Sequence, residues 1–358
     1  MTRRLLPLLL VLTFAGCAST DTGPESQTPK SRYLGDVGAY PVGSIPDVAF
    51  EDSARGRDLI LSIDYPIHEG AFPLVILTPA YGATSRHYVG LSAHWASQGY
   101  VVVRMTHPGE RRGANGNGTA VAMPKQTQAD WNARVGDVKF VLDSTDKLAR
   151  QYPELKGKID ATKIGVAGHS YGAFIAMLLG GVKTFPGATT YVDSRVKAVM
   201  AISPQGPSET AGLTPESFGS LSLPAMFMVG TQDAGTGAEE TIAWRRQAFE
   251  LAAPGNKWLV VIEGATHRTF AGVRDQLATA PDPTFQPTTR SNPDPLTRPS
   301  DDPRRPGRES AAGLNERNRF AAVRSLSLAF WDAYLRNDPK GRETLEKSGA
   351  RVSELKTR

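Results

Sequence analysis

The chain alternates between two hydrophobic rhythms. Short, nearly unbroken apolar runs recur at Leu59–Pro66, Pro73–Leu77, Val101–Met105, Ile164–Ala167, Val196–Ile202, Ala225–Val229 and Trp258–Ile262. Runs of this length without polar alternation predict strands buried on both faces. Between them, apolar residues recur three and four positions apart, the spacing of one face of a helix. Tyr88, Leu91 and Trp95 mark such a face over Ser85–Ser97, and Trp131, Val135, Val138 and Leu142 mark another that continues to about Tyr152. Helices are also expected from Ala173 through Leu178, over Thr241–Leu251, and from about Asn315 to Arg336, where Phe320, Val323, Leu326, Phe330, Trp331 and Leu335 form a broad apolar face. Strands alternating with helices predict an α/β fold, with a mostly parallel central sheet and helices on both faces. There is no internal repeat and no second hydrophobic core, so residues 34–345 are expected to form one domain.

One junction between these elements carries a chemical signal. Residues 163–173 read KIGVAGHSYGA, a strand, a sharp turn and the start of a helix. This is G-x-S-x-G in the strand-to-helix setting that lifts a serine hydroxyl off the sheet edge. Gly168 and Gly172 leave space where a Cβ would meet the neighbouring backbone. The competing reading is a glycine-rich turn whose serine only caps the helix. A serine hydroxyl needs a base within hydrogen-bond reach, and the base needs an acid to orient it. On this fold both are expected later in the chain, just beyond later strands. Asp233 follows the run at 225–229, and His267 follows the run at 258–262. Ser170, Asp233 and His267 are therefore the candidate nucleophile, acid and base. The oxyanion donors are expected to be the backbone N–H of Tyr171, next to the nucleophile, and of Tyr81, in the turn Pro79-Ala80-Tyr81-Gly82-Ala83.

Other residues compete for these roles. His169 adjoins the serine, but neighbours on a tight turn diverge, and a packing role beneath the turn is expected. His68, His87 and His94 precede the nucleophile and are read as surface residues. His107 ends a strand and could line a pocket, and Glu263 is an alternative acid that lies very close to His267 in sequence. No His, Asp and Glu cluster has metal-ligand spacing, so neither a metal nor another cofactor is called for.

Composition adds the compartment. Arg3 and Arg4 precede an apolar stretch from Leu5 to Phe14, then Ala15-Gly16-Cys17, the layout of an export signal over residues 1–16. The small residues before Cys17 resemble a bacterial lipobox, and Cys17 is the protein's single cysteine. That resemblance implies lipidation at Cys17 and, with Ala18 following it, an outer-membrane lipoprotein of a bacterial cell envelope; the alternative is a secreted or periplasmic protein with a plain cleaved signal. Residues 17–33 are rich in Ser, Thr, Pro and Gly and read as a flexible tether. Residues 278–307 repeat Asp-Pro and read as an exposed excursion. Residues 346–358 read as a C-terminal tail. The net charge of +5 is mild, and basic residues are not interleaved with aromatics, so no nucleic-acid partner is expected.

From about Arg57 to His267, and again in the last helix, the chain resembles an α/β-hydrolase of the group that includes dienelactone-hydrolase-like proteins, platelet-activating-factor acetylhydrolases and cutinase-type enzymes. The segments that carry the likeness are RDLILSIDYP, PLVILTPAYGATSRHY, ASQGYVVVRMTHPG, GVAGHSYGA, VGTQD and GATH. The resemblance implies the α/β-hydrolase fold, Ser170, Asp233 and His267 as a triad, and Tyr81 and Tyr171 as oxyanion donors. A serine stands where true dienelactone hydrolases have cysteine, and the chain has no partner for a C-terminal disulfide of the cutinase kind. The expected activity is hydrolysis of a small-molecule or lipid-like carboxylic ester by a monomeric, membrane-anchored serine esterase. A peptidase or amidase on the same fold, and a non-catalytic envelope lipoprotein that binds a ligand, are the alternatives.

Overall fold

The computed structural model of the protein describes residues 32–110, 126–235, 240–271, 311–348 and 354–358. The export signal 1–16, Cys17, nearly all of the tether 17–33 and the whole excursion 278–307 lie outside these residues.

Nine strands form one sheet: β1 (Val42–Asp52), β2 (Arg57–Pro66), β3 (Phe72–Thr78), β4 (Val101–Thr106), β5 (Ile159–His169), β6 (Val196–Ile202), β7 (Ala225–Gln232), β8 (Lys257–Thr266) and β9 (Glu354–Thr357). Their order across the sheet is β1-β2-β4-β3-β5-β6-β7-β8-β9. From β4 to β8 every neighbouring pair is parallel. The additions at the two edges, β1 and β2 on one side and β9 on the other, pair antiparallel. The helices are α1 (Val89–Ser97), α2 (Gln128–Asp143), α3 (Thr145–Gln151), α4 (Tyr171–Gly180), the short α5 (Pro215–Phe218), α6 (Ile242–Glu250), α7 (Ala311–Leu335) and α8 (Pro339–Lys347). The protein is thus an α/β protein with a mostly parallel sheet.

The unbroken apolar strands are explained by burial on both sides. Leu74, Ile76, Val166, Phe227 and Leu259 point to one core, which is completed by α2, α4 and α6. Their neighbours Val75, Leu77, Ala167, Met228 and Val260 point to the other, completed by α1 and α7. Successive strand residues face opposite ways, so a strand between two helical layers has no solvent face on which to place polar residues.

Several boundaries differ from the sequence reading, each for a local reason. The first helix starts at Val89 rather than Ser85, because Tyr88 at its N-terminus takes a left-handed conformation with φ 64°. The helix read to Tyr152 breaks in two at Ser144. β1 went unread because its exposed and buried residues are mixed, and a register irregularity between Ile45 and Val48 interrupts its alternation. β9 lies in the stretch read as a tail, where a charged four-residue edge strand leaves no hydrophobic trace. Among the described residues no helix is long and apolar enough to cross a membrane.

The start of the domain is fastened to α7 through a buried carboxylate. Asp332 accepts from Arg32 Nε at 2.8 Å, Tyr33 Oη at 3.1 Å and Tyr100 Oη at 2.6 Å. Hydrogen bonds and a cation together make such burial tolerable; a lone carboxylate there would be strongly disfavoured.

Candidate active site

The sequence-predicted residues meet at one edge of the sheet because each follows directly on a parallel strand. Ser170 follows β5, Asp233 follows β7 and His267 follows β8. β7 and β8 are neighbours, and Gln232 pairs with Thr266, so Asp233 and His267 emerge side by side. That register requires an irregularity after Gly230, where β8 runs through Glu263, Gly264 and Ala265 before pairing again. A Cβ on Gly230 would lie 2.0 Å from the Ala265 carbonyl oxygen, so only glycine allows the detour to pack. Gly264 turns it with φ 66°.

Ser170 has φ 53° and ψ −118°, an unusual conformation for a residue with a side chain. Its N–H is held by the Ile202 carbonyl at 2.9 Å, and its own carbonyl starts α4 by accepting from Ala173 at 2.8 Å. Although Ser170 occupies the cap position of α4, its hydroxyl makes no capping hydrogen bond. The simple capping role is therefore not the one this serine has. Both flanking glycines are sterically required. A Cβ on Gly168 would lie 2.0 Å from the Gly172 oxygen, and one on Gly172 would lie 2.1 Å from the Thr78 oxygen.

Asp233 is fully buried and its carboxylate has three partners. His267 Nδ1 lies 2.9 Å from Oδ1, the Ser203 hydroxyl donates to Oδ2 at 2.6 Å, and Arg245 Nε stands 3.5 Å from Oδ1. Because the carboxylate can only accept, Nδ1 carries the proton and Nε2 keeps its lone pair. Arg245 is buried as well, and it donates to the main-chain oxygens of Asp233, Ser203 and Pro204. It therefore braces the loop after β6 against the loop after β7. Ser203, with φ 51°, is a second side-chain-bearing residue in the left-handed region at this edge. Glu263 is exposed and accepts from Thr231 Oγ1 at 3.3 Å; the acid bonded to His267 is Asp233.

Ser170 and His267 are not joined by a hydrogen bond, and among the described residues the Ser170 hydroxyl has no partner. The rings of His267 and of His169, the residue before the serine, are 4.5 Å apart between centroids, which puts the imidazole at the turn. Hydrogen bonds of this kind are often loose before substrate arrives.

His169 has the expected packing role. Tyr88 Oη accepts from the Ala80 N–H at 3.1 Å and lies 3.0 Å from His169 Nδ1. That hydrogen bond anchors the imidazole beneath the turn, and its Nε2 has no partner among the described residues. Burial, then the proximity of His267 and Arg245, holds its pKa well below the usual histidine range.

His107, which could have lined a pocket, is instead buried inside a network. Its Nδ1 donates to Asp137 at 2.8 Å, and Thr78 Oγ1 lies 2.9 Å from Nε2. Asp137 also takes two hydrogen bonds from Arg57, at 2.6 and 2.7 Å, and one from Arg55 at 3.0 Å. Burial alone would raise the Asp137 carboxyl; hydrogen bonds from Arg57 and His107 outweigh it and bring the carboxyl down to about 2. Burial, reinforced by Arg134, lowers His107 to about 4. His94, read as a surface residue, is also buried, and neither ring nitrogen has a hydrogen bond among the described residues.

Among the described residues neither candidate oxyanion donor has an acceptor for its N–H. The N–H groups of Ala80, Gly82 and Ala83 are engaged by Tyr88 Oη, the Glu110 carboxylate and the Ala80 carbonyl, and that of Tyr81 has no acceptor among the described residues. Tyr171 is the first residue of α4, where an N–H has no intrahelical partner. The Tyr81 side chain is partly buried and packs against the core. Sequence reasoning did not find Ser203, Arg245, Tyr88, Glu110 or Arg134. Helix-face spacing was the available signal: Tyr88 shares a face with Leu91 and Trp95, Arg134 with Trp131 and Val138, and Arg245 with Ile242 and Phe249, while Ser203 and Glu110 carry none. Among the described residues no group of three or more His, Cys, Asp or Glu converges as a metal site.

Searched against protein-family models and against curated proteins, the chain matches neither.

Proposed function

We propose that the protein is a serine hydrolase of the α/β-hydrolase fold that cleaves carboxylic esters through an acyl-enzyme. The observation that carries this reading is the 2.9 Å contact between His267 Nδ1 and the buried Asp233 carboxylate, at the sheet edge where Ser170 stands on its strained turn. The tautomer set by that contact leaves Nε2 as the base. In the first step Nε2 takes the Ser170 proton as Oγ bonds to the ester carbonyl carbon. The oxyanion is held by the Tyr81 and Tyr171 N–H groups. Collapse breaks the bond to the alkoxide, which leaves as the alcohol with the proton from His267. Water then repeats the sequence on the acyl-serine, with His267 again as base, and releases the acid. Asp233 stabilises the imidazolium formed in each half and does not itself take the proton.

The residues at the N-terminus extend the proposal to an outer-membrane lipoprotein anchored through Cys17. Replacing Cys17 by serine should abolish incorporation of labelled palmitate.

Hydrolysis of a short p-nitrophenyl ester should fall by several orders of magnitude in Ser170→Ala, because the three residues act as a unit. Wild-type turnover surviving in that variant would end the reading. The missing Ser170–His267 hydrogen bond is the one observation that favours a non-catalytic binding protein. Labelling of folded wild type by a fluorophosphonate probe, abolished in Ser170→Ala, separates the two, and a matched ester and amide pair separates an esterase from an amidase.

A further inference from the structure

We propose that Glu110 and Arg134 form a positioning pair that holds the two oxyanion donors in register, an inference that rests on the serine-hydrolase reading. The donors come from separate parts of the chain, one from the turn after β3 and one from the first residue of α4. Sheet hydrogen bonding fixes where each element starts but not the orientation of a peptide beyond it. Something must set that orientation, since a donor acts only when it lies within about 3 Å of the developing oxyanion.

In the turn, the peptides on either side of the free N–H are tied down. The Ala80 N–H is held by Tyr88 Oη at 3.1 Å, and the Gly82 N–H by Glu110 Oε2. Tyr81 is thus clamped between two anchored neighbours, with its own N–H left over. Gly82 takes φ 75°, a conformation that suits glycine. The other oxygen of Glu110 is paired with Arg134 Nη2. Both side chains are buried, Glu110 at 5% and Arg134 at 6% exposure. The Arg134 guanidinium in turn lies over the Tyr171 ring, 4.4 Å from its centroid. One acid therefore grips the first donor segment, and its counter-ion rests on the residue that supplies the second. The two charges need each other: either alone in this site would be a buried, uncompensated ion. Neither side chain touches the reacting atoms, so both act through the backbone they position.

The test compares Glu110→Ala and Glu110→Gln with wild type, using a p-nitrophenyl ester for turnover and a trifluoromethyl ketone as a probe whose adduct places an oxyanion in the same hole. Glu110→Ala should lose about 10²-fold in kcat, the scale of one misplaced donor, with KM changed less than about threefold, and ketone affinity should fall in parallel. Glu110→Gln can still accept from the Gly82 N–H but then turns its amide toward Arg134, so it should recover part of the loss. A purely structural pair would lower the melting temperature and leave ketone affinity untouched, and that result overturns the proposal. If Glu110→Ala does not fold, Glu110→Gln carries the same comparison, and wild-type kcat and ketone affinity in it overturn the proposal. If wild type turns over no ester and Ser170 is not labelled by fluorophosphonate, the serine-hydrolase reading fails and takes this inference with it. If labelling is intact and Glu110→Ala has wild-type kcat, only this inference fails.

Discussion

Replacing Asp233 by Asn removes one charge and almost no volume, and the structure allows its effect to be worked out. The carboxylate and the imidazolium formed during turnover would have charge centres about 4 Å apart. At an effective dielectric of roughly 20 that attraction is worth about 4 kcal/mol. Arg245, whose Nε stands 3.5 Å from the same carboxylate oxygen, acts on the imidazolium in wild type and variant alike and leaves this difference unchanged. The charge-assisted hydrogen bond to His267 Nδ1 adds about 1.5 kcal/mol by fixing the tautomer, since an amide can donate as readily as accept. The sum, between about 5 and 6 kcal/mol, corresponds to a loss in kcat of about 10⁴-fold. Substrate binding before proton transfer does not involve this charge, so KM should stay within about threefold. The variant should fold, because Arg245 keeps its hydrogen bonds to the Asp233, Ser203 and Pro204 carbonyls. The assay is steady-state hydrolysis of p-nitrophenyl butyrate at pH 7, with circular dichroism to confirm folding. Ser203→Ala is the companion variant: it removes one donor from Asp233 but leaves the charge, and its loss should be about tenfold or less. A folded Asp233→Asn enzyme within tenfold of wild-type kcat would refute the role given to this carboxylate.

Three further outcomes follow from packing and burial. Gly172→Ala would press a methyl group to 2.1 Å from the Thr78 carbonyl oxygen and 2.7 Å from that of Pro79; with backbone on both sides, a destabilisation of about 3 kcal/mol is expected in urea unfolding, and an unchanged midpoint would show that the two segments can separate. Asp137 has a carboxyl pKa lowered from 3.8 to about 2, so the stability it contributes is present above about pH 4 and lost as pH falls through 2. Asp137→Asn should therefore be roughly 2 kcal/mol less stable than wild type at pH 6, with the gap narrowing toward pH 2; a gap independent of pH would contradict this. Burial lowers the His94 pKa from 6.5 to about 3, so the unfolded chain binds the extra proton first and stability falls with pH from about 6.5 toward 3. His94→Leu should gain on wild type by about 1.4 kcal/mol for each pH unit below 6.5, measured by denaturation at pH 7.5 and 4.5, and parallel losses in both proteins would exclude His94 as the acid-labile group.

Much of this architecture is legible in the polymer before it folds. Apolar runs such as Val101–Met105 and Val196–Ile202 have few polar residues because strands between two helical layers have no solvent face. The glycines at 168 and 172 are legible because a strand-to-helix turn imposes a local steric demand that a short stretch of sequence expresses by itself. The positions of Asp233 and His267 follow from the same logic, since each stands a few residues beyond a recognisable apolar run. Asp233 could also be preferred to Glu263 as the partner of His267, because a separate loop was required.

The tertiary structure alone decided what surrounds those residues. Sequence did not indicate that Ser203 and Arg245 hold Asp233, because these contacts join segments 30 and 12 residues away in the chain. It gave no sign that His107, read as able to line a pocket, is locked to Asp137, or that His94, read as a surface residue, is buried. Periodicity records which face of an element is buried. It does not record which polar side chain from another element arrives to meet it, and that pairing is a property of the packed sheet and its loops. The candidate site residues were therefore readable one at a time, and their hydrogen-bond partners and anchors only together.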